Sequence, residues 1–301
     1  MTEFLWAQQP DAGRLRELLS AVSAVDGRPS LPAGDGVPGE FHGGDHLLAT
    51  RDGELVGYVH LDTGGDAFGR QVAELLVRPA NRRAGIGAEL TRELLARSGV
   101  GDDGQTGDTL RVWAHGDQPG AAALAERFGF RRAREMRRLR MPLTGDLPAA
   151  RLPDGVRLRA FVPGRDEDAV IAVNQLAFAW HPEQGSLTTE DLRAEEDEPW
   201  FDADGLLVAE RAGTMVGFHW TKVHPDVDGG PMGEVYVVGV HPDAQGGGLG
   251  KALTLAGLEY LRDRRGMTRV MLYVESDNGP ALAVYAKLGF TLWDADVQYA
   301  H

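Results

Sequence analysis

The chain of 301 residues contains no cysteine, which excludes disulfide bonds, thiolate zinc sites and cysteine nucleophiles. Positive charge is also scarce, because 31 Lys and Arg residues stand against 45 Asp and Glu residues and leave a net charge of −14. That charge opposes docking on nucleic acid or on an anionic membrane surface, so neither is an expected partner. Any anionic ligand has to be held by local groups.

Long apolar runs are missing as well. No uninterrupted stretch approaches the roughly 20 residues of a membrane-spanning helix, and Met1 to Trp6 show no basic segment leading into an apolar one. A cytoplasmic protein is therefore the expectation. The length suits two domains of about 150 residues each. The sequence does not set the oligomeric state, and a monomer is the expectation.

What the chain does contain is an internal repeat. Three first-half segments match second-half segments in the same order, namely 47–58 with 207–218, 75–87 with 238–250, and 127–130 with 287–290. The offsets are 160, 163 and 160 residues, which indicates a tandem duplication. Turn-forming residues without periodicity lie between the halves. We predict a first domain over 1–143, a linker over 144–155 and a second domain over 156–301.

The second half shows alternating strand and helix patterns. A hairpin is predicted around Ala212 and Gly213, and a strand over 234–240 that places Glu234, Tyr236, Val238 and Val240 on one face. The elements predicted after it are a helix from Leu249 that stops near Gly266, a strand over 270–274, a helix over 280–287 and a strand around 290–293. This order predicts an α/β fold on a mixed sheet.

A glycine-rich loop, Gln245 to Gly250, lies between the predicted strand and helix. Its backbone N–H groups could approach an anion with help from the helix dipole, although a flexible turn would read the same way. The first half keeps a similar loop, in which Gly85 and Gly87 match Gly248 and Gly250. Neither loop is a Walker motif or a dinucleotide fingerprint. The repetition favours a pyrophosphate-binding loop.

The pattern Gln/Arg-x-x-Gly-x-Gly/Ala, just after a Val-x-Pro-like strand end, resembles the GNAT acetyltransferase superfamily. The resemblance covers both halves and implies two tandem GNAT domains of class α/β (α+β), each a mixed central sheet flanked by helices. It also implies acetyl-coenzyme A as acetyl donor and no metal. The coenzyme contacts that it assigns are Val238, Gly239, Val240, Gln245, Gly246, Gly247, Gly248, Leu249, Gly250, Lys251, Asn278, Gly279, Pro280, Ala281, Leu282 and Ala283 in the second half, and Leu75, Leu76, Val77, Arg83, Ala84, Gly85, Ile86, Gly87 and Ala88 in the first.

The chemistry of acetyl transfer needs a base, because an α-amino group titrates near 7.7 to 8.0 and must lose a proton before it attacks a thioester. Glu234 can take that proton directly or through a water. Tyr285 stands where the family carries the acid that protonates the leaving thiolate. Backbone N–H groups around 238–240 would polarise the thioester carbonyl. Taken singly, Glu234 could be a solvated edge charge and Tyr285 a core residue; their joint placement around the loop favours catalysis.

The first half serves as an internal comparison. Glu234 corresponds to Gln71 at the offset of 163, and Tyr285 corresponds to Ala125 at the offset of 160. Neither replacement can act as base or acid. Glu74 is one odd step out of register with Gln71, which predicts that it faces the other side of the strand. We therefore predict that the first half is not catalytic and keeps the loop that would bind the coenzyme.

Four second-half segments narrow the resemblance, namely 181–185, 218–226, 233–240 and 272–278. They resemble a tandem branch of the GNAT family whose acceptor is the cysteinyl amine of cysteinyl-glucosamine-inositol. The resemblance implies a small sugar-linked amine as acceptor, and polar side chains suit its many hydroxyls. The implied acceptor contacts are Glu183, Lys222, Glu234 and Tyr273, with Asp35, or alternatively Glu40, from the first half.

Other interpretations stay open. The chain could acetylate another small amine, such as an aminosugar or a polyamine, or it could be a non-catalytic module that binds acyl-coenzyme A. Glu183 could be a surface residue and Lys222 a hairpin-end charge. The histidines form no His-Glu-x-x-His or comparable pattern, so no metal site is predicted.

Overall fold

The computed structural model describes residues 1–26, 35–99, 108–181, 184–227 and 229–301. The chain forms two compact units. Unit 1 comprises Met1–Arg137, Glu275–Asp277 and Asp294–His301, and unit 2 comprises Arg138–Val274 and Asn278–Trp293.

Unit 1 is a mixed sheet with helices packed on it. Its elements in chain order are β1 (Thr2–Ala7), α1 (Ala12–Asp26), β2 (Asp45–Arg51), β3 (Glu54–Asp62), β4 (Gln71–Val77), α2 (Ile86–Ser98), β5 (Leu110–Ala114), α3 (Pro119–Arg127) and the first part of β6 (Arg131–Pro142). Strands β1 to β4 pair antiparallel in sequence order, whereas β4 and β5 are parallel. The parallel pair needs a crossover, which α2 supplies.

Unit 2 repeats this arrangement. Its elements are β7 (Val156–Ala160), α4 (Glu167–Ala177), α5 (Thr189–Glu196), β8 (Leu206–Arg211), β9 (Thr214–His224), β10 (Met232–Val240), α6 (Leu249–Asp263), β11 (Arg269–Glu275), α7 (Gly279–Leu288) and the first part of β12 (Thr291–Ala300). Strands β7 to β10 pair antiparallel, and β10 and β11 are parallel. The predicted α/β fold with a duplicated mixed sheet is confirmed.

The last residues of the chain complete unit 1. Val297–Ala300 pair antiparallel with β5, and Val297 and Tyr299 are buried in the core that α2 covers. The sequence-based division placed these residues in the second domain, so the compact units differ from it at the carboxyl end. Alternating apolar residues predict that a segment is a strand, but they do not say which sheet it joins.

The predicted elements of unit 2 have clear local causes. Ala212 and Gly213 both have positive φ, 51° and 81°, as a tight hairpin turn between β8 and β9 requires. Helix α6 buries Leu253, Leu258 and Leu261 against the sheet. Gly289 ends α7 with φ 98°. Within the described ranges, no helix has the length and apolar character needed to cross a bilayer.

A buried histidine makes the stability of unit 2 depend on pH. His219 of β9 is fully buried and its Nδ1 donates to the Leu253 carbonyl at 2.7 Å, while burial lowers its pKa to about 4. The unfolded chain binds a proton at this residue below about pH 6.5, so stability falls as the pH drops from about 6.5 to about 4. Urea unfolding followed by tryptophan fluorescence should show wild type losing about 1.5 kcal/mol more than a His219→Leu variant between pH 6.5 and 5. Equal losses in the two proteins would contradict the assignment.

Candidate active site

The site in unit 2 begins where two parallel strands separate. Pairing between β10 and β11 joins Gly233 to Val235 with Val270 to Leu272, and both strands continue beyond it. On the other edge of β10, the His241 N–H donates to the Val216 carbonyl at 3.0 Å. Because N–H groups alternate along a strand, those of Val238 and Val240 point toward the edge that faces β11. This geometry supports the prediction that they polarise a carbonyl group.

A β-bulge changes which residues of β10 share a face. Val235 lies opposite Thr221 and Val237 opposite Trp220, so Tyr236 is an extra residue. The prediction of one common face for Glu234, Tyr236, Val238 and Val240 is therefore wrong. Tyr236 packs against Trp200 and Trp220, whereas Val238 and Val240 pack with the cluster that contains Leu249 and Leu253 of α6. Because of the extra residue, the side chains that follow it in β10 point to the opposite faces of the sheet from those that strict alternation from Glu234 would give.

Glu234 stands just before this bulge and is only 5% exposed. Its Oε2 lies 2.6 Å from Nε2 of His224, and an ionised carboxylate can only accept, so the imidazole N–H donates. His224 holds the carboxylate in place at the point where the strands separate. Sequence reasoning missed this role for His224. Its place two residues after Lys222 could have indicated it, because residues two apart in a strand lie on the same face.

Lys222 lies directly opposite Glu234 across β9 and β10. Its Nζ sits 3.8 Å from the ring centroid of Trp200 and 4.7 Å from that of Tyr236. The Tyr236 hydroxyl donates to Oε2 of Glu195 at 3.2 Å. Burial raises the pKa of Glu195, and the charge of Lys222 acts in the opposite direction. Glu195 and Trp200, from α5 and the segment after it, were not found from the sequence because they belong to no recognisable motif.

Tyr285 lies on the inward face of α7. It is 9% exposed and its ring packs against Phe290 with centroids 5.6 Å apart. Burial in the apolar core of unit 2 raises the pKa of Tyr285 to about 12, so the phenol is protonated at neutral pH, as an unshifted tyrosine also is. The Tyr285 carbonyl accepts from the Phe290 N–H at 3.0 Å, and the Ala125 carbonyl accepts from the Phe130 N–H at 2.9 Å. The equal bonds support the predicted match of Tyr285 with Ala125.

Both glycine loops have the same backbone form. Gly246 and Gly248 precede α6 with φ 82° and 83°, and Arg83 and Gly85 precede α2 with φ 63° and 83°. A Cβ added at Gly246 or Gly248 would meet no atom within 4 Å, so the loop borders open space. Helix N-termini that face open space in this way fit the pyrophosphate of a coenzyme. The residues present in unit 2 therefore suit the predicted ligand.

Two further predicted coenzyme residues have visible structural roles. Asn278 caps α7 by accepting from the Ala281 N–H at 3.2 Å, which fixes the first turn of the helix that carries Tyr285. At Gly239, an added Cβ would lie 2.4 Å from the ring of Phe218. Only glycine fits there without a shift of β9 or β10. Their coenzyme contacts stay predictions.

The predicted acceptor residues divide into two groups. Glu234 and Lys222 lie side by side, and Tyr273, 37% exposed, follows the last residue of β11 that pairs with β10. Asp35 is exposed in the loop before β2 of unit 1. Glu183 and the side chain of Glu40 lie outside what the structure describes. Among the described residues, no cluster of His, Asp and Glu is placed to hold a metal ion.

Unit 1 has no carboxylate at the position of Glu234. In unit 1 Gly57 of β3 pairs with Val77 of β4, just as Gly217 of β9 pairs with Val240 of β10 in unit 2. From this shared pair, β3 and β4 continue to Asp62 and Val72 without a bulge. The pair Lys222–Glu234 consequently corresponds to Asp62–Val72. The predicted counterpart Gln71 is wrong by one residue, because Tyr236 has no equivalent in β4.

Glu74 lies three residues from Gln71 in a strand that pairs without a bulge, so it faces the opposite side from Gln71, as predicted. It shares a face with Val72, however, which is the residue that corresponds to Glu234 by pairing register. Oε2 of Glu74 lies 3.4 Å from Nε2 of His115, whose Nδ1 lies 3.2 Å from Oδ2 of Asp296. By pairing register Glu74 corresponds to Val237, beyond the bulge. A carboxylate is thus present in β4, but at a different place from the one in β10.

Comparison with protein families places both units in one superfamily. Residues 170–290 match the model of the acetyltransferase (GNAT) family, and residues 42–132 match that of an acetyltransferase (GNAT) domain. The first match contains Glu234, Tyr285 and the loop before α6. The second contains the corresponding loop before α2.

Relatives and solved structures extend the likeness to the whole chain. The mycothiol acetyltransferase of Saccharomonospora viridis is 56% identical over 100% of this chain and 99% of its own, and that of Amycolatopsis mediterranei is 55% identical over 98% and 97%. A GCN5-related N-acetyltransferase from Sphaerobacter thermophilus has a TM-score of 0.74 at 23% identity, covering 99% of this chain and 95% of its own. A tandem GNAT protein of the clavulanic acid biosynthesis pathway has a TM-score of 0.65 at 22% identity, covering 100% and 98%. The two structures show a shared fold.

Proposed function

Because the chain belongs to the mycothiol acetyltransferase family of GNAT proteins, we propose that it transfers acetyl from acetyl-coenzyme A to the cysteinyl amine of cysteinyl-glucosamine-inositol, which yields mycothiol. The observation that carries the proposal is the buried Glu234, oriented by His224 at the separation of β10 and β11. The loop before α6 begins a short distance along the same strand.

Glu234 would accept the proton that the acceptor ammonium must lose. The neutral nitrogen then attacks the acetyl carbon, and the carbonyl oxygen becomes an oxyanion beside the N–H groups of Val238 and Val240. As the tetrahedral intermediate collapses, the carbon–sulfur bond breaks and the thiolate leaves. Tyr285, which is protonated at neutral pH, gives its proton to that sulfur. The attacking nitrogen loses its second proton as the amide forms, and this proton restores the phenol of Tyr285, while the proton held by Glu234 passes to solvent. The ammonium and the thioester are thereby converted to an amide, a free thiol and one released proton.

The acceptor would lie along the polar side of β9, β10 and β11. Lys222 and Glu234 face the same side as directly opposite residues, and Tyr273 offers a phenol on the next strand. These groups form hydrogen bonds with hydroxyls, which a sugar and an inositol provide in number. Lys222 disfavours a polycationic acceptor such as a polyamine. A small sugar-linked amine therefore suits the site best.

A thiol-release assay with acetyl-coenzyme A tests the proposal. We expect kcat/KM for cysteinyl-glucosamine-inositol to exceed that for glucosamine or spermidine by at least about 10²-fold, since polar groups of a site discriminate strongly against substrates that leave them unpaired. If the protein acetylates only another amine, it is still an N-acetyltransferase, but cysteinyl-glucosamine-inositol is not its acceptor. Coenzyme binding with no turnover of any amine would instead favour a binding module.

Removal of the Tyr285 hydroxyl gives a separate test of the acid. A Tyr285→Phe variant should lose about 10²-fold in kcat, because the thiolate then leaves without a positioned proton donor. Its fold should persist, since the ring still packs against Phe290. Tyr299→Phe removes the hydroxyl of a buried tyrosine in unit 1, so it is the matched control and should retain full activity. An unchanged kcat for Tyr285→Phe would exclude this tyrosine as the acid.

A further inference from the structure

Two aromatic rings contact the ammonium group of Lys222, and the carboxylate of Glu195 interacts with it electrostatically. We call Glu195, Trp200 and Tyr236 the lysine cage. The Nζ of Lys222 lies over the rings of Trp200 and Tyr236, at 3.8 and 4.7 Å from their centroids. Tyr236 donates its hydroxyl proton to Glu195, which supplies a negative charge that interacts with Lys222. The two ring faces and the carboxylate all attract a cation.

The position of the cage matters because Lys222 is the cross-strand neighbour of Glu234. Directly opposite residues on one face have Cβ atoms about 5 Å apart, so a lysine can reach a carboxylate there. An ion pair between them would favour the ionised carboxylate and reduce its tendency to accept a proton. In the structure Glu234 instead accepts from His224, and the lysine ammonium lies on the two rings.

We propose that the lysine cage holds the ammonium of Lys222 on the rings of Trp200 and Tyr236 and away from Glu234, so that the Glu234 carboxylate stays outside a lysine ion pair and Lys222 faces the acceptor. Glu195 is a positioning residue in this proposal, since it acts through Tyr236 and Lys222. The inference rests on the proposed acetyl transfer in unit 2, and adds to it a residue that controls the strength of the base.

The comparison within the chain supports this role. Unit 1 has Asp62 and Val72 in place of Lys222 and Glu234, and its strand β4 has no bulge residue that could match Tyr236. A lysine, the carboxylate opposite it and the bulged tyrosine thus occur together in unit 2. The bulge turns the Tyr236 ring toward Trp200 and Trp220, where it can also meet the lysine.

Several charged and titratable groups face this cluster and set the expected pH dependence. Those around Glu234 are Lys222, His224 and Tyr236, and those around Glu195 are Lys222, Tyr236, Asp191 and Glu198. A Glu195→Gln change removes a negative charge and leaves the side-chain shape almost unchanged. Lys222 then loses the attraction of the Glu195 carboxylate, and Glu234 is the carboxylate directly opposite it on β10.

The test is the pH profile of kcat/KM for the acceptor in Glu195→Gln. Its acidic limb reports the base of the free enzyme and should move to lower pH by about one unit, with a severalfold loss of kcat at neutral pH and an unchanged KM for acetyl-coenzyme A. Glu190→Gln, exposed on the same helix, is the matched control and should leave the profile in place. In the double variant Glu195→Gln/Lys222→Met the limb should return toward its wild-type position, because no ammonium remains to pair with Glu234.

A second readout needs no acceptor. The emission of Trp200, isolated by subtracting the spectrum of a Trp200→Phe variant, should change in Glu195→Gln when the ammonium leaves the ring, and should stay constant in Glu190→Gln. Three results would each contradict the proposed role of the lysine cage. They are constant Trp200 emission in Glu195→Gln, an acidic limb of the pH profile that does not move in that variant, and a shift of the limb that persists in the double variant. Failure of wild type to acetylate any amine would overturn the proposed function instead, and the emission change would still report on the cage.

Discussion

Replacing Glu234 by glutamine should reduce kcat by about 10²- to 10⁴-fold, the range that a positioned general base contributes. Glutamine has nearly the same shape and can still meet His224, but it cannot accept a proton from the acceptor ammonium. The KM for acetyl-coenzyme A should change little, because the loop before α6 is untouched. Steady-state thiol release with the cysteinyl acceptor at pH 7 measures both constants.

Glu74→Gln in β4 is the matched control for this prediction. It removes a partly buried carboxylate that also contacts a histidine, but in unit 1 and beyond the position equivalent to Glu234. We expect its kcat to equal that of wild type. A large loss in Glu74→Gln together with a mild one in Glu234→Gln would transfer the base to unit 1 and refute the assignment of catalysis to unit 2.

A Gly257→Ala change should destabilise the protein by about 3 kcal/mol, the upper range for forcing an extra methyl group into a packed core. An added Cβ at Gly257 of α6 would lie 2.0 Å from Cε1 and 2.1 Å from Nδ1 of His219. The imidazole cannot move away easily, because it is fully buried and its Nδ1 donates to Leu253. Alanine normally favours a helix by about 1 kcal/mol over glycine, so the expected sign is the reverse of the usual one.

Urea unfolding at pH 7.5 measures this effect, with Gly120→Ala of α3 as the control. A Cβ at Gly120 meets no atom within 4 Å, so this variant should be as stable as wild type or slightly more so. Adding His219→Ser to Gly257→Ala should recover part of the loss, since the clashing ring is then gone. A Gly257→Ala protein with wild-type stability would show that α6 and β9 are packed less tightly than the structure indicates.

The elements of unit 2 could be predicted because their signals are local. Apolar residues at helical spacing mark α6, a glycine between two strand patterns marks the hairpin turn at Ala212 and Gly213, and β-branched residues mark β10. The bulge at Tyr236 could not be predicted, because the β-branched and aromatic pattern of β10 continues through it. That single extra residue explains the wrong face for Val238 and Val240 and the wrong counterpart Gln71.

The candidate site was predictable only where a motif carried it. Glu234, Lys222 and the loop before α6 lie in segments that resemble a known family, and the structure places Glu234 beside Lys222. Glu195 and Trp200 reach the same place through tertiary packing, which no local pattern encodes. His224 lies in one of the segments that resemble the family, but its contact with Glu234 depends on the pairing of β9 with β10. The pairing of the last strand with β5 was hidden for the same reason.

Identification of the atom that receives the acetyl group tests the central claim most directly. Wild-type protein would be incubated with acetyl-coenzyme A and cysteinyl-glucosamine-inositol, and the product analysed by mass spectrometry and NMR together with the released thiol. The account predicts one acetyl group per thiol released, present as an amide on the cysteinyl nitrogen and formed at least about 10²-fold more slowly when Glu234→Gln replaces wild type. An acetyl group on another atom of the acceptor, or thiol release with free acetate as the only product, would contradict it.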